Sequence, residues 1–336
     1  MFTKLLKYDM KSTAKIGIPT FIAVLIAGIV GFLTCSIFAT LNFFWSDMVQ
    51  WNINVYLTEA PRYIQIISEV LMPIYSLSMF ASLFATFAVL VFITIGGTVI
   101  LVVTVVNFYK SLLTDEGYLT FTLPVSPTTI LCSKLTNSVI WNILVGIAQI
   151  IAGIAMFIPF IALSIAENIR YRIEYGPQES IPVEPTAFSI INDITSIFGL
   201  VGSVITVVLF NLIMIIATQL LYFFAVFLGG VIAKKQKLIV SAAFVVLAHI
   251  VFTTVQQGVE FITTAIIIVL GVIIATASFM LQSIKIPYEI IDCITNALMT
   301  SVVPISMILN TLIFVVIAIV LFILTNYLMN KKLNLP

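Results

Sequence analysis

Charge is what this chain has least of. Only 9% of its 336 residues are Asp, Glu, Lys or Arg, 61% are hydrophobic, and the mean hydropathy is +1.22. That balance excludes a water-soluble globular domain and makes the chain an integral membrane protein. With a net charge of only +1, no nucleic-acid partner is expected. Catalytic chemistry is missing too. No Gly-x-x-x-x-Gly-Lys phosphate cradle occurs, no glycine is followed directly by lysine, and no His-Glu-x-x-His is present. The chain is therefore expected to be no enzyme and to hold no cofactor. Its single histidine, His249, lies in an apolar run and reads as a packed or interhelical hydrogen-bonding residue rather than a ligand. The three cysteines, Cys35, Cys132 and Cys293, are odd in number and far apart, so no disulfide or metal site is assigned. The apolar runs do not alternate with polar residues, which disfavours a β-barrel. Backbone hydrogen bonding in hydrocarbon then leaves helices.

Six runs are read as spans: 16–41, 73–107, 135–166, 195–233, 238–257 and 300–329. Each reaches or exceeds the roughly 20 residues that carry a helix across a bilayer. The first 15 residues hold four lysines and one acid and no small-residue cleavage pattern, so they are expected to stay on the chain. On a helical wheel Lys4, Lys7, Lys11 and Lys15 fall within about 80° of one another, opposite Phe2, Leu5 and Leu6. This predicts a basic amphipathic helix suited to an anionic leaflet, with Asp9 on its apolar side hinting at a protein contact. The stretch 42–72, with Trp45, Trp51, Tyr56 and Tyr63, predicts short helices along the outer surface. The second run is about 50 Å long as a helix, so it must tilt, kink near Gly96-Gly97 or project beyond the bilayer. The polar stretch 167–193 predicts an exposed loop.

The run 261–281 could cross as well, but a seventh crossing would put Lys331 and Lys332 outside, against the positive-inside rule. The segment 258–292 is therefore expected to form an outer re-entrant or interfacial hairpin, with bends at Gly258, Gly271 or Pro287. Both termini are then cytoplasmic, with eleven of the fifteen basic residues on that side and only Arg62, Arg170, Arg172 and Lys285 outside. The six spans contain no Asp, Glu, Lys or Arg, which disfavours an ion-coupled carrier.

One polar island interrupts this pattern, the segment 110–134. Asp115 and Glu116 meet Gly117, the run Tyr118-Leu119-Thr120-Phe121-Thr122 follows, and Leu123-Pro124 closes it. Pro124 cannot continue a helix and pushes Leu123 toward extended backbone. Ser126-Pro127 reads as an N-cap with proline at the first helical position. The sequence Asp115 to Ser126, followed by Lys134, resembles the first cytoplasmic loop of ABC-2-type transporter permeases, in particular a group common in Gram-positive bacteria. Lys4-Leu5-Leu6-Lys7-Tyr8-Asp9, Asn326-Tyr327 and Lys331-Lys332-Leu333-Asn334 are similar to the same group.

The resemblance implies a permease subunit in a bacterial cell membrane, paired with a second copy or a sibling permease. It implies a separate ABC ATPase docking on the loop 110–134, through Asp115, Glu116, Gly117, Tyr118, Leu119, Thr120, Phe121, Leu123 and Pro124. It also implies export of an amphiphilic compound such as an antimicrobial peptide, a drug or a lipid-like molecule. A membrane scaffold or sensor, working through the outer acidic loop, is the alternative.

Overall fold

The computed structural model describes the chain except residues 1, 58–60, 115–116, 118–123, 176–186, 234–235, 285–286 and 333–336. Among the described residues every long element is a helix: α1 (Phe2–Leu57), α2 (Arg62–Leu113), α3 (Pro127–Tyr175), α4 (Ala187–Ile232), α5 (Lys237–Ser283) and α6 (Tyr288–Lys332). Each contains a stretch long and apolar enough to cross a membrane, so the chain is an all-α, multi-pass membrane protein with six such helices.

The helices are longer than the hydropathy pattern suggests. They hold 45 to 56 residues, roughly 68–84 Å at the α-helical rise, more than twice a bilayer's hydrocarbon core of about 30 Å. Several expectations change accordingly. The N-terminal basic segment is helical but continues without a break into the first span, through Pro19. Instead of separate surface helices over 42–72, α1 runs on to Leu57 and α2 starts at Arg62. The polar and aromatic residues there are adequate helix formers, so polarity alone does not end the helix. Helix α2 runs through Gly96-Gly97 unbroken, and the 167–193 stretch is helical as far as Tyr175 and again from Ala187.

The largest correction concerns the hairpin. Residues 238–257 and 261–281 belong to one helix, α5, which passes through Gly258 and Gly271. A glycine inside a helix costs only about 1 kcal/mol relative to alanine, too little to turn the chain back. The reversal comes later, at the Pro287 end of the proposed hairpin, where α6 begins. Seven apolar runs thus make six helices without a re-entrant segment.

The chain divides into two compact units: residues 1–10, 104–139 and 181–336, and residues 11–103 and 140–180. In the second, α1 presents small residues to its neighbours. A Cβ on Gly28 would sit 2.6 Å from the Ala152 Cβ and 2.8 Å from its Cα, so α1 and α3 meet there almost backbone to backbone. Such small-residue contacts are a main source of helix association where lipid removes the hydrophobic drive. The Gln149 amide donates 2.9 Å to the Ile93 carbonyl and ties α3 to α2. At one end, Arg170 forms a two-pronged pair with Asp47 and lies over the Phe43 ring, while Trp45 stacks on Tyr75. Gly28→Val should force the two backbones apart and destabilise this unit by about 1–3 kcal/mol, the usual cost of overpacking. Thermal unfolding in detergent would check this, and an unchanged midpoint would contradict the close approach.

In the first unit, α4, α5 and α6 pack around Ala217, Leu220, Phe252, Phe314, Ala318 and Leu321. Phe314 lies against both Phe210 and Phe252. The Tyr222 hydroxyl lies 2.6 Å from His249 Nδ1, so His249 is an interhelical hydrogen-bonding residue, as its setting in an apolar run predicts.

Candidate functional site

The polar island begins where α2 ends. Phe108, buried, stacks face to face on Phe223 of α4 with ring centroids 4.0 Å apart and planes 5° from parallel. One turn earlier Thr104 meets Gln219 of α4 at 3.4 Å, and Leu112 is buried one turn later. This end of α2 is therefore held against α4 by an aromatic stack with a buried polar contact beside it. Of the predicted docking residues, Gly117 and Pro124 are described, whereas Asp115, Glu116, Tyr118, Leu119, Thr120, Phe121 and Leu123 lie outside the described residues. Gly117 is buried and donates its N–H to the Thr114 carbonyl at 2.8 Å. A Cβ there would lie 2.5 Å from the Leu112 carbonyl oxygen, so the tight exit from α2 requires glycine. Pro124 is exposed.

The island ends as its sequence predicts. Helix α3 starts at Pro127, and the Thr129 N–H donates to the Ser126 carbonyl at 2.9 Å and to its Oγ at 3.4 Å. The same Oγ lies 2.8 Å from the Thr128 and Thr129 hydroxyls, closing a small hydroxyl cluster over the helix start. Ile130, Leu131 and Ser133 are buried in the first turns of α3. Lys134 then reaches Asp9 of α1, Nζ to Oδ1 at 3.0 Å, and the Ser133 hydroxyl donates to the other carboxylate oxygen at 3.0 Å. The protein contact hinted at by Asp9 is thus within the chain: it fastens the first turns of α1 to the first turns of α3.

A second polar group went unrecognised in the sequence. With α5 continuous, Glu260 lies in the interior of a helix long and apolar enough to cross a membrane. Gln256 Nε2 donates to Glu260 Oε1 at 2.9 Å. One turn further on, Thr263 faces Asn310 of α6, Nδ2 to Oγ1 at 3.5 Å. The spacing Gln256, Glu260, Thr263 is i, i+4, i+7 and marks one face of a helix. That signal was legible once the segment was read as helical throughout. Among the described residues no group of His, Cys, Asp and Glu is arranged to hold a metal ion. No protein family, no characterised protein and no solved structure matches the chain.

Proposed function

We propose that the chain is the membrane-spanning permease subunit of an ATP-driven ABC exporter, and that a separate ATPase docks on the loop 110–134. The observation that carries this reading is the fastening of both ends of the loop. The helix entering it is stacked on α4 through Phe108 and Phe223, and the helix leaving it is ion-paired to α1 through Lys134 and Asp9. A loop fixed in this way at both ends can pass a push from a soluble partner into the helices, which is what coupling ATP binding to a rocking of membrane helices requires. The sequence holds no phosphate-binding loop, which supports assigning the hydrolysis to another subunit. The sequence likeness of 115–126 to permease coupling loops supports the same reading. The deciding test is a search for an ABC ATPase reading frame beside this one and co-purification of its product with the chain, followed by a screen for compounds that stimulate its hydrolysis. An ATPase that never associates would remove the proposal.

In this reading both termini face the cytoplasm of a bacterial cell, because Lys4, Lys7, Lys110, Lys237 and Lys331 gather at helix ends that six crossings bring to one side. Single cysteines placed at the exposed positions Lys331 and Arg172, with the three native cysteines replaced by serine, test it. A membrane-impermeant maleimide added to intact cells should label position 172 and leave position 331 untouched. Labelling of 331 from outside would invert the topology and remove the loop from the ATPase's reach.

A further inference from the structure

Within the second unit, a groove between α1 and α3 has no part in the coupling scheme. Its volume is about 430 Å3, inside the range of about 300–1,000 Å3 that small-molecule sites occupy. At Gly28 and Ala152 both helices are small and the backbones meet. Further along, α1 brings Phe32, Phe43 and Phe44 against the short Pro159, Ala162 and Ala166 of α3, and a cavity remains. The hydroxyls in its wall, Ser36 and Thr40, donate to carbonyls of their own helix. This part is otherwise lined by hydrocarbon. A second hollow of about 380 Å3 shares Phe43 and Ala166 with the first and carries the groove on past Ile169 to Arg170 and Ile173.

The groove changes character where both helices do. On α1 the run Phe43-Phe44-Trp45 gives way to Ser46 and Asp47, and on α3 Ala166 gives way to Glu167, Asn168 and Arg170. The far end is therefore an ion pair. Arg170 Nη1 donates to Asp47 Oδ2 at 3.0 Å, and the guanidinium lies 5.7 Å from the centre of the Phe43 ring. The two side chains keep 42% and 46% of their exposure, so both charges can be reached from outside the chain. Their order is defined as well: Arg170 is part of the groove's lining and Asp47 is not. A ligand running along the groove meets an apolar wall, then a positive charge, then a negative one.

We propose that this groove holds one acyl chain of a zwitterionic phospholipid, with the lipid phosphate at Arg170 and its ammonium group at Asp47. Such a lipid carries the same succession: tail, anion, cation. Guanidinium is a favoured partner of phosphate, and the carboxylate beyond it attracts the cation. A head with a single charge fits less well. An anion competes with Asp47 for Arg170 and a cation competes with Arg170 for Asp47, each leaving one member of the pair uncompensated. A zwitterion of the right order meets both charges without separating them. The site does not rest on the permease reading.

The test uses the full chain alone, without ATPase, in dodecyl maltoside at pH 7. Radiolabelled dodecylphosphocholine, a single tail on the same kind of head, should bind saturably above protein-free micelles. A dodecyl sulfobetaine has the same tail with ammonium and anion in the reverse order. It should displace the label only at concentrations about tenfold or more above those of unlabelled dodecylphosphocholine, as should dodecyl phosphate. Ala162→Trp fills the groove from an exposed position and should weaken binding by a similar factor, whereas Glu260→Gln on α5 should leave it unchanged. The exchange Asp47→Arg with Arg170→Asp keeps the pair and reverses its order, so that variant should prefer the sulfobetaine. Competition on the wild type needs no variant to fold, and thermal unfolding checks the variants. Equal displacement by either competitor, wild-type affinity in a folded Ala162→Trp, an exchanged pair that still prefers phosphocholine, or no saturable binding would each overturn the site. Loss of this binding with the ATPase still co-purifying defeats only the lipid site, and the reverse result defeats only the coupling scheme.

Discussion

Replacing Tyr118 and Phe121 together by alanine should strip the chain of its ATPase and abolish transport, while insertion and expression stay near wild type. Both residues lie between the glycine that tightens the exit from α2 and the proline that precedes the next helix start. Aromatic residues belong to the class that dominates association energies, and truncating a central one costs about 2 kcal/mol or more. Two such losses together amount to about 4 kcal/mol, roughly a thousandfold in dissociation constant, enough to empty the complex during purification. Glu116 adds a charge that a basic partner surface can meet, and its neutralisation should act mainly on the rate of association. The competing account makes Tyr118, Leu119 and Phe121 an aromatic belt at the headgroup layer. That account predicts a disturbed insertion and an intact complex, the opposite pattern. If the double variant retains its ATPase at wild-type levels, the loop is not the coupling element and the transport reading loses its main support.

The fold class was legible because composition and run length decide it: charge-poor runs that each exceed a bilayer's thickness leave only membrane helices. Local punctuation was legible as well, since Ser126-Pro127 starts α3 where the capping rules put it. Helix length was not. Hydropathy marks where lipid can be tolerated, whereas helical hydrogen bonding continues until something stops it. Nothing in 42–57 stops α1, and Gly258 alone does not stop α5. Reading a break into α5 hid the contact of Gln256 with Glu260 across Gly258 and that of Thr263 with Asn310. The partners of Asp9, Phe108 and Glu260 lie on other helices or depend on a helix run through a glycine. Sequence spacing gives the face a residue occupies, but not which neighbouring helix covers that face.

The pair between Asp9 and Lys134 is where fold and proposed function meet. Its side chains keep 22% and 11% of their exposure, so neither charge is fully solvated once the other is gone. Removing one partner from a pair of intermediate burial costs about 2–3 kcal/mol, between the values for exposed and fully buried pairs. Lys134→Ala should therefore lower the unfolding midpoint measurably. The larger effect should fall on coupling. In the proposed scheme the ATPase, bound through the loop, should remain attached while the first turns of α3 no longer pull on α1, so ATP hydrolysis should continue while transport drops at least tenfold. The charge-exchanged variant, Asp9→Lys with Lys134→Asp, separates the two effects from a simple loss of packing. The Ser133 hydroxyl both donates and accepts, so it can serve a lysine at position 9 as it now serves the aspartate. The exchange should recover most of the transport that either single reversal destroys, with the ATPase content unchanged throughout. Transport that survives Lys134→Ala, or an exchange that recovers stability but not transport, would show that the pair holds the helices together without carrying the stroke.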